Sequence, residues 1–209
     1  MDIRLDTLVL GPLETNCYVI RGGSRCAIVD PGMWPKPLLD FLLANQVQPD
    51  MALLTHGHAD HIAGLSELKQ SYPNILIHCP RGDAFMLQDA AGNMSASFGL
   101  AITAPAADVL IDAGETIEVG QTQWRILDTS GHTPGSVSYY CPDAATAITG
   151  DALFAGSIGR SDVPGANEPA LLRNIRENLL ILPGRTRVLP GHGPATTIEH
   201  ERRTNPFLR

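Results

Sequence analysis

Seven side chains in this sequence have the chemistry and the spacing to hold metal ions. His56, His58 and His61 lie within six residues of one another beside Asp60, in Thr55-His56-Gly57-His58-Ala59-Asp60-His61. Side chains two apart in an extended segment share a face, so His56 and His58 point the same way, whereas Asp60 and His61 follow after the chain begins to turn. A closed tetrahedral zinc site needs four ligands, and this loop could in principle supply them alone. Adjacent side chains at Asp60 and His61 diverge, however, and four ligands from so short a piece would strain the loop, so further ligands are expected from elsewhere. The candidates are His132 in Ser130-Gly131-His132-Thr133-Pro134-Gly135, Asp151 in Thr149-Gly150-Asp151, and His192 in Pro190-Gly191-His192-Gly193. Their flanking glycines permit the tight turns and close backbone approach that a loop wrapped around an ion requires.

These loops need strands to carry them. Residues 3–10, 16–21 and 26–29 read as short strands separated by Gly11-Pro12 and Gly22-Gly23 and closed by Asp30-Pro31-Gly32, an antiparallel meander. Residues 35–45 place Leu38, Leu39, Leu42 and Leu43 on one helical face, with Pro35 and Pro37 tolerable in the first turn. Residues 51–54 form a brief apolar strand that runs into the histidine-rich loop. Residues 63–72 then read as a helix, 75–77 as a strand and 81–89 as a helix. Residues 90–107 are polar, alanine-rich and weakly periodic, a kind of loop that often borders active sites. Strands at 116–119, 123–127, 136–140 and 145–148, a helix at 168–182 and a strand at 187–189 complete the reading. Each informative His or Asp follows a strand, so two mixed halves predict a sandwich of two sheets flanked by helices.

The chain has 209 residues, near the upper edge of what one compact domain holds, and a single domain over residues 1–209 is expected. A formal net charge of -7 offers no attraction to phosphate backbones or anionic lipid, so neither nucleic acid nor membrane is expected as a partner. Asp2, Arg4 and Asp6 interrupt any signal-peptide core, and no apolar stretch is long enough to span a bilayer, which predicts a cytoplasmic protein. Cys17, Cys26, Cys79 and Cys141 form no Cys-x-x-Cys pair and read as reduced core residues. Trp34, Trp124, Tyr139 and Tyr140 share no spacing and read as core packing. His78 and His200 have no partners in sequence and read as structural or surface residues.

His56-x-His58-x-Asp60-His61 followed by His132, Asp151 and His192 resembles the metallo-β-lactamase superfamily across nearly the whole chain. Residues 151–162, with the ending Gly191-His192-Gly193-Pro194 and Arg203-Thr204-Asn205-Pro206-Phe207-Leu208, are similar to short bacterial glyoxalase II-like hydrolases. The resemblance implies an α/β fold, the four-layer αββα sandwich. It also implies two divalent metal ions: His56, His58 and His132 on one, Asp60, His61 and His192 on the other, and Asp151 bridging. Imidazole and carboxylate ligands without thiolate suit zinc and tolerate iron or manganese. Such a pair activates a water at neutral pH, which would attack a thioester carbonyl, with Asp60 orienting it. The implied substrate is a small molecule, S-2-hydroxyacylglutathione such as S-lactoylglutathione. Full-length glyoxalase II enzymes add a C-terminal helical domain with basic glutathione contacts, and none is expected in the short stretch that follows His192 here. Asp30 matches a family position near the metals and alternatively is a turn-forming Asp. Arg160 stands where these enzymes carry a glutathione-contacting basic residue and alternatively is a solvated surface side chain. A mononuclear iron persulfide dioxygenase, a lactonase or another hydrolase of the superfamily, and a non-catalytic metal-binding protein remain as alternatives.

Overall fold

The computed structural model describes residues 3–209, whose strands build two six-stranded sheets and one small hairpin. In the first sheet, β1 (Ile3–Leu10), β2 (Thr15–Gly22) and β3 (Arg25–Val29) run antiparallel. The sheet continues in parallel through β4 (Met51–Leu53), β5 (Leu76–Pro80) and β6 (Val109–Ile111). The second sheet contains β7 (Thr116–Val119), β8 (Thr122–Asp128), β9 (Val137–Cys141) and β10 (Thr146–Gly150). After the hairpin of β11 (Leu153–Phe154) and β12 (Ser157–Ile158), the same sheet is completed by β13 (Arg187–Pro190) and β14 (Thr196–Thr197). Strands β10 and β13 are parallel, and the other pairs of this sheet are antiparallel.

Alternation along the strands explains the stacking. Successive side chains point to opposite faces. Val19 and Ile28 face α1 (Lys36–Ala44) and α3 (Leu65–Ser71), packing with Leu38, Leu42, Leu65 and Leu68. Their chain neighbours Tyr18, Ile20, Ala27 and Val29 face the second sheet and meet Trp124, Ile126, Tyr139 and Ile148. On that sheet's far side Tyr140, Ala147 and Val188 pack against α4 (Glu168–Asn174) and α5 (Ile198–Thr204) through Leu171 and Ile198. The result is the expected helix-sheet-sheet-helix order, with each fully buried aliphatic side chain contributing about 1.5–3 kcal/mol. Trp124 is fully buried between the two sheets and satisfies its indole N–H on Thr122 Oγ1 at 3.1 Å.

The structure corrects several local readings. Residues 81–89 do not form an α-helix: Arg81–Leu87 is a 3₁₀ segment. Its Gly82 packs so tightly that a Cβ there would lie 2.7 Å from Gly135 Cα. The helix predicted over 63–72 is preceded by a short one, α2 (Ala59–Ile62), which carries Asp60 and His61. The helix predicted at 168–182 changes from α to a π turn at Ile175–Leu179. Strand β6 and helix α5 carry too little periodicity to read; Glu201 and Asn205, both fully buried, dock α5 by hydrogen bonds to Gly156 N and Ser157 O. Trp34 is not a core residue: it is 67% exposed, at a left-handed turn with φ +54°. Trp124, Tyr139, Tyr140 and the four cysteines are buried, the cysteines with free thiols. His78 is half-buried and His200 exposed. Among the described residues, no helix is long and apolar enough to cross a membrane.

Candidate metal centre

The site forms where strand ends of the two sheets meet. Parallel pairing aligns Val29 of β3 with Leu53 of β4, so Asp30 and the Thr55–His61 loop leave the first sheet together. Parallel pairing of β10 with β13 aligns Gly150 with Pro190 and does the same for Asp151 and His192. His132 lies on the connection from β8 to β9. The sheets are stitched at this edge by Val137 N donating to Thr55 O at 2.9 Å and Asn16 N donating to Gly191 O at 2.7 Å.

All seven predicted donors converge, in two groups. His58 Nδ1 lies 3.2 Å from His56 Nε2 and 2.9 Å from His132 Nε2. Asp60 Oδ2 lies 3.3 Å from His61 Nε2 and 3.1 Å from His192 Nε2, and the two imidazole nitrogens are 3.3 Å apart. Asp151 sits between the groups, with Oδ1 3.5 Å from His61 Nε2 and Oδ2 3.7 Å from His132 Nε2 and 3.6 Å from His192 Nε2. The divergence predicted for Asp60 and His61 does not separate them. Neighbours on a helix leave the axis about 100° apart, yet the imidazole is long enough to reach back to the same point.

The outer hydrogen bonds decide which ring nitrogens face inward. Asp30 is buried, and its Oδ2 accepts from Thr55 Oγ1 at 2.6 Å and from His61 Nδ1 at 2.9 Å, while Oδ1 accepts from Thr55 N at 2.8 Å. Because the Thr55 hydroxyl proton goes to Asp30, Thr55 Oγ1 accepts from His56 Nδ1 at 3.0 Å. His132 Nδ1 donates to Arg160 O at 2.8 Å, and His192 Nδ1 donates to Leu13 O at 2.9 Å. Four imidazoles are thereby set with the Nε2 lone pair toward the centre, the arrangement that metal-ligating histidines share. A tetrahedral ion with ligands about 2.0–2.1 Å away holds its donors roughly 3.3 Å apart; the spacings here are 3.1–3.3 Å in the Asp60 group and 2.9–3.2 Å from His58 to its two partners. Asp151 Oδ1 is buried without a hydrogen-bond donor. Converging imidazole nitrogens and a buried carboxylate oxygen without a hydrogen-bond donor fit cations.

The electrostatics differ between the two groups. Burial pushes His56 well down and His58 down to about 3, and the neighbouring imidazoles add to the effect. Both are therefore neutral donors. Burial would also lower His61, but Asp60, Asp151 and Asp30 outweigh it and raise it well above its ordinary value. His192 is raised against its burial by Asp60 and Asp151. Burial would raise Asp60, and His61 and His192 outweigh it and hold the carboxyl far below the carboxylate range. This half concentrates carboxylates around imidazole and calls for positive charge.

The centre forms the floor of a cavity of about 610 Å³ with apolar walls that include Leu13, Met33, Phe98, Leu100 and Phe154. The wall from residues 90–107 is pinned by fully buried Asn93: its Nδ2 donates to Met86 O and Ile102 O, and its backbone carbonyl accepts from Ala59 N. Arg160 lines the rim, exposed and paired with Asp162 at 2.9 Å. Thr15, Thr55, Asp83 and Asn93 support the site and were not singled out from sequence. Thr55 could have been flagged as the hydroxyl preceding His56; the others sit too far away in the chain to carry a local signal.

Comparison with known proteins shows the family. Residues 10–192 match the family model of the metallo-beta-lactamase superfamily. The chain is 40% identical to a probable metallo-hydrolase, YqgX, of Bacillus subtilis, covering 95% of this chain and 94% of that one. It is 31% identical to the hydroxyacylglutathione hydrolase GloC of Haemophilus influenzae, covering 99% and 98%. Among solved structures, the BLEG-1 B3 metallo-beta-lactamase superposes with a TM-score of 0.93 at 37% identity, covering 98% and 99%. The di-iron-bound form of TTHA1623 superposes with a TM-score of 0.88 at 37% identity, covering 97% and 100%. With a family match over most of its length, and with both sheets and the donor set in place, this chain belongs to the metallo-β-lactamase superfamily.

Proposed function

We propose that this chain is a two-metal hydrolase of the glyoxalase II type, cleaving the thioester of S-2-hydroxyacylglutathiones such as S-lactoylglutathione. The observation that carries this reading is the pair of donor groups facing one cavity with Asp151 between them. His56, His58 and His132 would hold one cation, Asp60, His61 and His192 the other, and Asp151 would contact both. Divalent cations bound there, zinc by the donor set with iron or manganese also accommodated, would acidify a water and polarise a carbonyl.

The protein's own part is positioning. Asp60 is held ionised and accepts from Thr15 Oγ1 at 3.0 Å, which fixes its carboxylate at the cavity floor, where it can accept a hydrogen bond from an attacking water and orient it. The apolar walls exclude bulk water from the acyl carbon. The thiolate leaves without a strong general acid, so no further acid is needed above the floor. Arg160 at the rim would exchange Asp162 for a glutathione carboxylate. The GloC relative supports the substrate class, because it matches this chain end to end without a long additional segment.

The test is metal analysis paired with S-lactoylglutathione hydrolysis with and without a chelator. Two ions per chain with chelator-sensitive turnover is the expected result, with Arg160→Ala raising KM and leaving kcat. One iron per chain, no hydrolysis, and oxygen consumption with glutathione persulfide would overturn it.

A further inference from the structure

Asp83 is a completely buried carboxylate that hydrogen-bonds to none of the seven converging donors, yet it joins two of the loops that carry them. Its Oδ2 accepts from Gly57 N at 3.0 Å and from Thr133 Oγ1 at 2.5 Å, and its Oδ1 accepts from Gly135 N at 2.6 Å. Gly57 lies between His56 and His58, and Thr133 follows His132. The partners come from 26, 50 and 52 residues away, so no local structure brings them together. All three are donors, and no cation pairs with this carboxylate among the described residues. A buried ion without a counterion is costly unless its hydrogen bonds are complete. Here the bonds span the gap between the two loops. The backbone is tight at the same point: a Cβ on Gly135 would lie 2.6 Å from Asp83 N.

We infer that Asp83 is a positioning residue that clamps the His56–His58 loop to the His132 loop and so sets the geometry of the three-imidazole half of the centre. The inference rests on the two-metal reading of the site. The clamp does not extend to Asp60, His61 and His192, which are held by Thr15, Asp30 and the Leu13 carbonyl. An effect confined to one half is what separates a positioning role from a general structural one.

Asp83→Asn tests it. An amide offers one acceptor oxygen, so in either orientation its NH₂ faces a donor at one of the two carboxylate positions. The assay is titration of the metal-free protein with cobalt(II), followed by visible absorption and calorimetry. It is run in the full site and in a His192→Ala background that leaves the three-imidazole half to titrate by itself. Wild type should take two ions. Asp83→Asn should weaken the three-imidazole half by about 10–100-fold, alter its cobalt spectrum, and leave the other half at wild-type affinity. If Asp83→Asn does not fold, Thr133→Val, which removes one donor of the clamp, should shift the same half while Thr133→Ser restores it. Two ions bound by Asp83→Asn with unchanged affinities and spectrum, with only the melting temperature lowered, would overturn the clamp alone. Wild type that fails to bind two ions would overturn the two-metal reading and the clamp with it.

Discussion

Asp30→Asn isolates the charge beneath the centre. Asp30 adopts φ +50°, a conformation that Asn tolerates as Asp does, so the backbone should survive the change. The carboxylate accepts three hydrogen bonds, two on Oδ2 and one on Oδ1. An amide oriented to keep Thr55 Oγ1 and His61 on its oxygen turns its NH₂ against Thr55 N. One bond to a charged acceptor is then lost, about 1.5–3 kcal/mol, and two others weaken from charged to neutral by roughly 1 kcal/mol each, about 3–5 kcal/mol in all. For a chain of this length that lowers the melting temperature by on the order of 10 °C. The same change loosens the tautomer control of His61 directly and of His56 through Thr55, so metal affinity should fall about 10–100-fold. Thermal unfolding of metal-free and metal-loaded protein, with a metal-competition titration, reads both effects. A melting temperature within 1–2 °C of wild type on that scale, with two ions bound at unchanged affinity, would refute the reasoning.

Gly131→Ala should be severe, because Gly131 has φ +130° and a Cβ would meet Leu171 N at 2.4 Å; strain and overpacking together give a loss of about 2–5 kcal/mol, read by denaturant unfolding. Acidification should weaken metal binding at Asp60, His61 and His192: both imidazoles have raised pKa values, so they hold protons that a cation must displace, and affinity should climb as pH rises through and above their ordinary range. A pH series of isotherms in a His58→Ala background checks this, and a flat profile would contradict it.

The donors themselves were legible from sequence because their signal is local. Four of them crowd into six residues, and the others each follow a strand with a glycine beside them. The two mixed strand-and-helix halves made a two-sheet, helix-flanked sandwich readable, and the four-layer order came with the family resemblance; in the structure Val19 and Ile20 face opposite layers. Tertiary structure decided what no local pattern carries. The grouping of His58 with His132 depends on loops 74 residues apart. That of Asp60 with His192 depends on the ends of two different sheets meeting at one edge. The tautomers depend on acceptors such as Arg160 O and Leu13 O, which are backbone atoms and leave no trace in residue type. Trp34 was misread for a related reason: hydrophobicity says that a side chain gains from burial, and only the turn at residue 34 decides whether it gets there. Residue type and spacing specify which atoms can bind a cation; the packing of distant segments specifies where those atoms point.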